Sequence, residues 1–442
     1  MLNHLKTWLR NRPIWQITLL VLVPIPCLIA FGIWFSSQRS LNAKLDAIRE
    51  QGLPTNVDEL NDYYSVPEGV IDSTDLWLAA IEALELADFD NRELEIPFAG
   101  GAGTPAIDEN WQGFPKAKQL ITDLNDELYL VYRAAEAGGQ IRYAKILSAF
   151  DIDTVATLQS SRSVARFLTI AVQVHILSDQ CNSALADAIS ILSLSNSLEG
   201  EVTLISALMR LAYQAMAITN LELILFECDL NDEQSLKIQK IVLESNIRKS
   251  MIKALNGELA LTASGIDQLP ITTFKTSNKH AALKYFTESK ATFSRSWFEI
   301  LQFQKEFKRQ VNKESSGRMD SSKQFDEILA QGAGEDFVIA NMRAVVRQRC
   351  ANAALAVRRF QLKNGTVPKS LQVIPQELLS TGEFSKELLI DPFDDEPLRF
   401  KLEEDRLLIY SIGENQIDDG GDCPRGDGGI DLDLGFWLKL SN

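Results

Sequence analysis

Between Gly413 and Asp433 the chain gathers Glu414, Asp418, Asp419, Asp422, Asp427, Asp431 and Asp433 against a single Arg425, with glycines interspersed. Carboxylates are the hard oxygen ligands that Ca²⁺ takes, and glycines permit the turns that bring such ligands together. Crowded carboxylates also repel one another, and a bound cation relieves that repulsion. The same composition describes a solvated acidic tail. Spacing alone leaves both readings open.

Elsewhere the residue types with catalytic potential are sparse. The histidines are His4, His175 and His280, with no His-x-x-x-His pair, so zinc hydrolase chemistry has no ligand set. His175 lies in the apolar run Val172–Leu177, where a packed core histidine is expected rather than a general base. Ser250-Met-Ile-Lys253 fits Ser-x-x-Lys, and Lys275-Thr276-Ser277 loosely fits the later triad of penicillin-interacting enzymes. The two lie too close in sequence for that fold, which draws them from distant elements. No Gly-x-Ser-x-Gly, Walker A or Rossmann fingerprint is present, and the glycine-rich run from Phe98 to Pro105 lacks the Gly-Lys-Ser/Thr of a phosphate loop. Carboxylate pairs are so common here that no one pair is informative. No catalytic residue is assigned.

Ile14–Phe35 determines where any chemistry would sit: 22 residues without a formal charge. As a helix it reaches about 33 Å, enough to cross a bilayer core. Lys6, Arg10 and Arg12 precede it with no acid, so the positive-inside rule keeps residues 1–13 cytoplasmic. The run is longer than a signal-peptide core, and its exit offers no Ala-x-Ala cleavage site. Trp15 and Trp34 flank it at interfacial depth, while Pro24 and Pro26 would kink it. The expectation is a retained span in a bacterial inner membrane, with the bulk of the chain periplasmic.

The formal charge of −16 excludes nucleic acid as a partner and argues against docking along anionic lipid beyond the anchor. Cys181, Cys228, Cys350 and Cys423 lie outside the span without paired spacing, and buried free thiols are the preferred reading.

The body reads as mainly α. Residues 36–62 continue as helix until Gly52-Leu53-Pro54, and Asp72–Asp88 forms a short one. Leu120–Glu136, Ser163–Gln180, Ser183–Leu198, Glu201–Glu227 and Asp232–Asn256 follow, with short turns that suggest stacked antiparallel pairs. The stretch from Val202 to Phe226 is apolar nearly all round but holds Arg210, Gln214, Asn220 and Glu222, so it is a buried core helix rather than a second span. Ala281–Lys308 reads as short helical runs and Asn312–Lys323 as a linker. A last long helix ends at Asn364-Gly365, with Val346, Cys350, Ala353, Val357 and Phe360 on one face. The turn at Asp391-Pro392-Phe393 then leads to a hairpin in which Leu398, Phe400 and Leu402 face Leu408, Tyr410 and Ile412, with one wet face and the last long helix beneath. The expected division is a span at 14–35, a helical body at 36–310, a linker at 311–335 and a carboxyl-terminal α+β module at 336–442.

That module resembles the carboxyl half of the major pseudopilin of type II secretion over roughly residues 340–437. Asp391-Pro392 matches that family's Asp-Pro turn, Tyr410-Ser411-Ile412-Gly413 the end of its second strand, and Asp431 and Asp433 the acidic pair before Trp437. The resemblance implies a Ca²⁺ site drawn from Asn415, Asp418, Asp419, Asp431 and Asp433, with Asn415 where the family has aspartate. The amino terminus departs, lacking the Gly-Phe prepilin site with its following Glu. The whole layout is also similar to an uncharacterised family of bacterial single-span proteins carrying Val66-Pro67-Glu68, a run like Glu201–Ser206 and the Asp-Pro-Phe ending. The expected function is a membrane-anchored extracytoplasmic scaffold or adaptor for an envelope protein partner. The alternatives are an envelope hydrolase using paired carboxylates in a helical groove and an accessory component of a pseudopilus or secretion system.

Overall fold

The computed structural model describes residues 24–96, 111–144, 147, 152–268, 272–293, 295–315, 335–379, 387–423 and 433–440. Residues 14–23 of the expected span, most of the glycine-rich loop, residues 316–323 of the expected linker, and Asp427 and Asp431 lie outside them. The fold is mainly helical, closed at its carboxyl end by a small antiparallel sheet.

Helix α1 (Pro24–Arg49) changes character along its length. Phe31, Ile33 and Phe35 are 60%, 66% and 55% exposed, whereas Leu41, Leu45 and Ile48 are buried against the body. Among the described residues no helix is long and apolar enough to cross a membrane. Gly52, at a positive φ of 72°, turns the chain after α1, and Asn56 caps α2 (Val57–Tyr63) by accepting the Glu59 amide at 2.9 Å. Helix α3 (Thr74–Leu86) is followed by α4 (Phe89–Leu94). The expected helix from Leu120 to Glu136 is two, α5 (Phe114–Asp123) and α6 (Asn125–Ala137), because Leu124 leaves helical dihedrals at φ −101°, ψ 32°. Gly113 precedes α5 and Pro115 lies in its first turn.

The centre is α7 (Ile152–Leu177), α8 (Cys181–Ser197) and α9 (Leu204–Glu227), each packed on its neighbour in sequence, with α9 also on α7. Thr203 caps α9 through the Ser206 amide at 3.1 Å. The expected helix from Asp232 to Asn256 divides into α10 (Asp232–Glu244) and α11 (Ile247–Gln268). Asn231 and Gln234 form a reciprocal capping box at the first start, and Asn246 accepts the Lys249 amide at 2.9 Å at the second. A propensity reading passes over Ser245-Asn246, but a side chain that caps so well ends one helix and begins another. The same device separates α12 (Thr272–Thr292) from α13 (Trp297–Ser315), where Ser296 and Glu299 bond each other's amides at 3.1 and 3.2 Å. The short helical runs expected over Ala281–Lys308 are therefore parts of two long helices, and α13 runs on to Ser315, into the expected linker.

Helix α14 (Glu335–Asn364) is buried on more than the expected face: every residue from Cys350 to Val357 is buried. The alanines there let α9, α10, α13 and the sheet approach it closely. Strands β1 (Arg399–Leu402), β2 (Arg406–Ser411) and β3 (Leu434–Lys439) pair antiparallel in that order, with Leu402 opposite Leu407 and Ile409 opposite Phe436. The hairpin is as expected; β3 was not foreseen. It makes β2 a central strand buried on both faces. Leu407 and Ile409 join the main core over α14, and Leu408, Tyr410 and Trp437 form a small cluster on the other face. Leu408 and Tyr410 were expected on the face of Phe400 and Leu402, but the register sets Phe400 opposite Ile409 and Lys401 opposite Leu408, so they lie on the other face, where the acidic loop folds over them with Cys423 packed on the cluster.

Candidate functional site

The expected metal ligands lie at one end of the sheet, and four of the five are described. Gln416, in the left-handed region at φ 58°, and Gly420 and Gly421, at φ 75° and 82°, fold residues 413–423 into a compact turn. Buried Asp433 receives the Gly421 amide at 2.8 Å and the Asp419 amide at 3.4 Å. Asp418 accepts the Gly420 amide at 2.9 Å and the Tyr410 hydroxyl at 3.2 Å, while the Asn415 side-chain amide donates to Asp419 at 3.1 Å. Burial raises the Asp433 carboxyl above its ordinary range, and Asp418 and Asp419 push it further. Three carboxylates and an amide thus lie in one compact turn, with much of their capacity spent on backbone amides and on one another. Among the described residues no group of three or more His, Cys, Asp or Glu side chains is arranged to hold a metal ion. Asp431, the fifth residue, lies outside them.

The Asp-Pro-Phe turn has a physical explanation. Asp391 is fully buried and accepts the Phe393 amide at 3.0 Å, the Ser411 hydroxyl at 2.7 Å, the Ile412 amide at 3.0 Å and Arg399 at 2.6 Å. The turn and the end of β2, separate motifs in the sequence, are two halves of one knot.

A second buried carboxylate was missed. Glu201 receives the Tyr64 hydroxyl, the Tyr143 amide at 3.3 Å and the Ser206 hydroxyl at 3.0 Å, joining α2, the 140–144 segment and the start of α9. Glu258 on α11 receives the Leu204 amide at 2.8 Å, so two acids are each tied to the amino end of α9. Burial raises both. The Arg142 guanidinium lies 5.1 Å from the Tyr64 ring centre and donates to the Tyr64 and Ile141 carbonyls. Lys253 sits beside it, 5.8 Å from the Tyr63 ring, and burial with Arg142 nearby brings its ammonium down to about 8. Ser250 donates to the Asn246 carbonyl at 3.2 Å, which accounts for the Ser-x-x-Lys serine structurally.

His175 has a polar partner as well as its helix neighbours. It is half-buried, and its Nδ1 pairs with Asp187 at 2.6 Å; the other Asp187 oxygen accepts Tyr132 at 2.5 Å. Burial raises the Asp187 carboxyl despite these partners, and Tyr132 is pushed up by burial and by Asp187. Asp187 lies twelve residues beyond His175 across a helix turn, a separation that no local motif marks. His280 Nε2 lies 3.1 Å from the Ser37 carbonyl, beside a cavity of about 570 Å³ lined by Gly32, Ile33, Ser36, Ser37, Ser40 and His280.

The cysteine expectation is corrected. Cys181, at the start of α8, and Cys228, just past α9, form a disulfide across a separation of 47 residues, with Cα atoms 5.9 Å apart. Sequence spacing could not show this, because the pair meets only once α8 and α9 lie antiparallel. Neither Cys350 nor Cys423 is in a disulfide, Cys350 being buried as expected and Cys423 half-buried. No family model, curated protein or solved structure matches the chain.

Proposed function

We propose that the protein is a single-pass scaffold or adaptor of a bacterial inner membrane, its amino terminus cytoplasmic and its helical body periplasmic, where it binds an envelope protein. The observation that carries the scaffold reading is the use made of buried carboxylates. Glu201, Glu258, Asp187, Asp391 and Asp433 are each occupied by protein donors, and each ties together segments distant in sequence. Such groups rigidify a surface rather than wait for a substrate. The address is supported by the exposed Phe31, Ile33 and Phe35 at the outer end of the apolar segment, and by the Cys181–Cys228 disulfide, a bond of oxidising compartments. A Ca²⁺ ion held by Asn415, Asp418, Asp419, Asp431 and Asp433 would order the rim of the sheet. That module suits an accessory of a pseudopilus or secretion system as one class of partner.

The hydrolase reading keeps one supporting observation, the pair of burial-raised acids Glu201 and Glu258 at the amino end of α9. In-cell photo-crosslinking from the exposed face of the body separates the two. A scaffold gives a discrete adduct with an envelope protein that persists in Glu201→Gln with Glu258→Gln. A correctly inserted, folded chain that yields no adduct overturns the scaffold. For the metal, calorimetry with calcium on the chain in detergent should give binding that Asp431→Ala with Asp433→Ala abolishes; no heat at millimolar calcium removes the ion from the proposal.

A further inference from the structure

Helix α9 buries two polar side chains that the protein leaves unsatisfied. Arg210 and Gln214 are 2% and 1% exposed, and their spacing of four puts them one turn apart on the same face. Arg210 Nη2 donates to the Ser245 hydroxyl at 3.2 Å, but among the described residues its Nε–H has no acceptor and neither end of the Gln214 amide has a partner. Ser245 is held in turn by Gln348 of α14, which donates to its carbonyl at 2.9 Å, and Ser195 of α8 donates to the Arg210 carbonyl at 2.9 Å. Arg210 therefore lies where α8, α9, α14 and the α10–α11 turn meet, with Gln214 one helical turn on.

The charge balance is what sets this place apart. Among the described residues no carboxylate pairs with Arg210. The acid that acts on it electrostatically, Glu199, is itself paired with Lys249 at 3.0 Å. Burial brings the guanidinium down only to about 10, so it is cationic at neutral pH. Arg359, also buried, is treated differently and pairs with Asp232 at 2.8 Å. An isolated cation taken out of water is among the least favourable things a fold can contain, and it is normally paired.

We infer that Arg210 and Gln214 hold a small monovalent anion, chloride in the cell, bound by the Arg210 Nε–H and the Gln214 side-chain N–H groups. A water molecule would satisfy the Nε–H but leave the charge uncompensated. Phosphate or a larger oxyanion needs more donors than these groups offer, whereas chloride accepts N–H bonds from two or three donors and demands nothing else. The anion then serves as the missing counterion at the junction of four elements.

The test is thermal unfolding of the full chain in detergent, at constant ionic strength, with sodium gluconate replaced stepwise by sodium chloride or bromide. The wild-type protein should gain about 2 °C or more in Tm, saturating in the millimolar range. Arg210→Met should lose the response. Gln214→Glu supplies a counterion from the same helix face, so it should melt in gluconate as the wild type does in chloride and respond to neither halide. A wild-type Tm that is the same in both salts overturns the inference, as does a saturable response that survives in Arg210→Met. Should Arg210→Met fail to fold, Gln214→Glu decides, since a chloride response retained there is equally fatal.

Discussion

The Ser411 hydroxyl donates to Asp391 Oδ1 at 2.7 Å, joining the Asp-Pro-Phe turn to the end of β2 across a separation of 20 residues. Arg399 reaches the other oxygen from β1, so one buried carboxylate locks the turn and both hairpin strands. Asp391→Ala leaves the Ser411 hydroxyl and two amides without their acceptor, and the Arg399 guanidinium with Asp394 alone. Breaking a buried, hydrogen-bonded ion pair from one side costs about 3–5 kcal/mol. Urea unfolding should show a loss of that order, and Ser411→Ala, which removes one neutral donor, only about 1 kcal/mol. Equal losses from the two would mean that the carboxylate is not the hub.

The disulfide makes a separate prediction. Cys181 and Cys228 close the α8–α9 pair, and a loop of that length lowers the entropy of the unfolded chain by roughly 3–4 kcal/mol in the chain-entropy treatment. Cys181→Ser with Cys228→Ser should unfold at lower denaturant concentration by that margin, and reductant should lower the Tm of the wild type but not of the double variant. Peptide mapping without reduction should recover the two cysteines in one linked species.

Legibility followed the range of the interactions. Helices whose ends carry local signals were readable: Asn231 with Gln234, and Gly365 after Asn364. The boundaries passed over, at Leu124 and at Ser245-Asn246, depend on one side chain or one pair of dihedrals inside an otherwise helical pattern. The hairpin could be read from alternation, but β3 could not, because Phe436-Trp437-Leu438 is a continuous apolar run beside Gly435 and shows no alternation. The acidic loop was legible as a cluster; its folding back over Leu408, Tyr410 and Trp437 was not, since that follows from β3 pairing. Glu201, Asp187 and the disulfide were invisible for one common reason. Their partners lie 137, 12 and 47 residues away and meet only through helix packing.

Glu201 predicts a pH dependence. Burial raises its folded-state carboxyl above the ordinary 4.5, so the ionised form is disfavoured in the folded protein relative to the unfolded chain. Its contribution to stability is complete below the unfolded value and is lost as pH rises through the folded one. Glu201→Gln keeps an acceptor for Tyr64 and removes the titration. The stability of the variant relative to the wild type should therefore rise from pH 4.5 upward and level off once the wild-type carboxyl has ionised. Denaturation measured across that range checks the sign. A relative stability that falls with pH would mean that Tyr64, Tyr143 and Ser206 hold the carboxylate ionised and outweigh its burial.

The last prediction concerns the acidic loop as a cover. Gly421 sits at φ 82°, and a β-carbon there would stand 2.8 Å from Leu408 Cδ2, so alanine is both strained and too large. The indole of Trp437 lies beneath this loop, donating to the Cys423 carbonyl at 3.1 Å with the Arg406 guanidinium 4.6 Å from its ring. Its backbone amide is held by Glu222 of α9 at 2.6 Å, so the ring is anchored to the body while the loop covers it. Gly421→Ala should lift the loop and cost about 1–3 kcal/mol. Trp437 emission should shift to the red and become quenchable by iodide, while the far-ultraviolet helical signal is unchanged. Trp437→Phe in the same background identifies the emitting ring. If the emission does not move, the loop is not what shields the second face of the sheet.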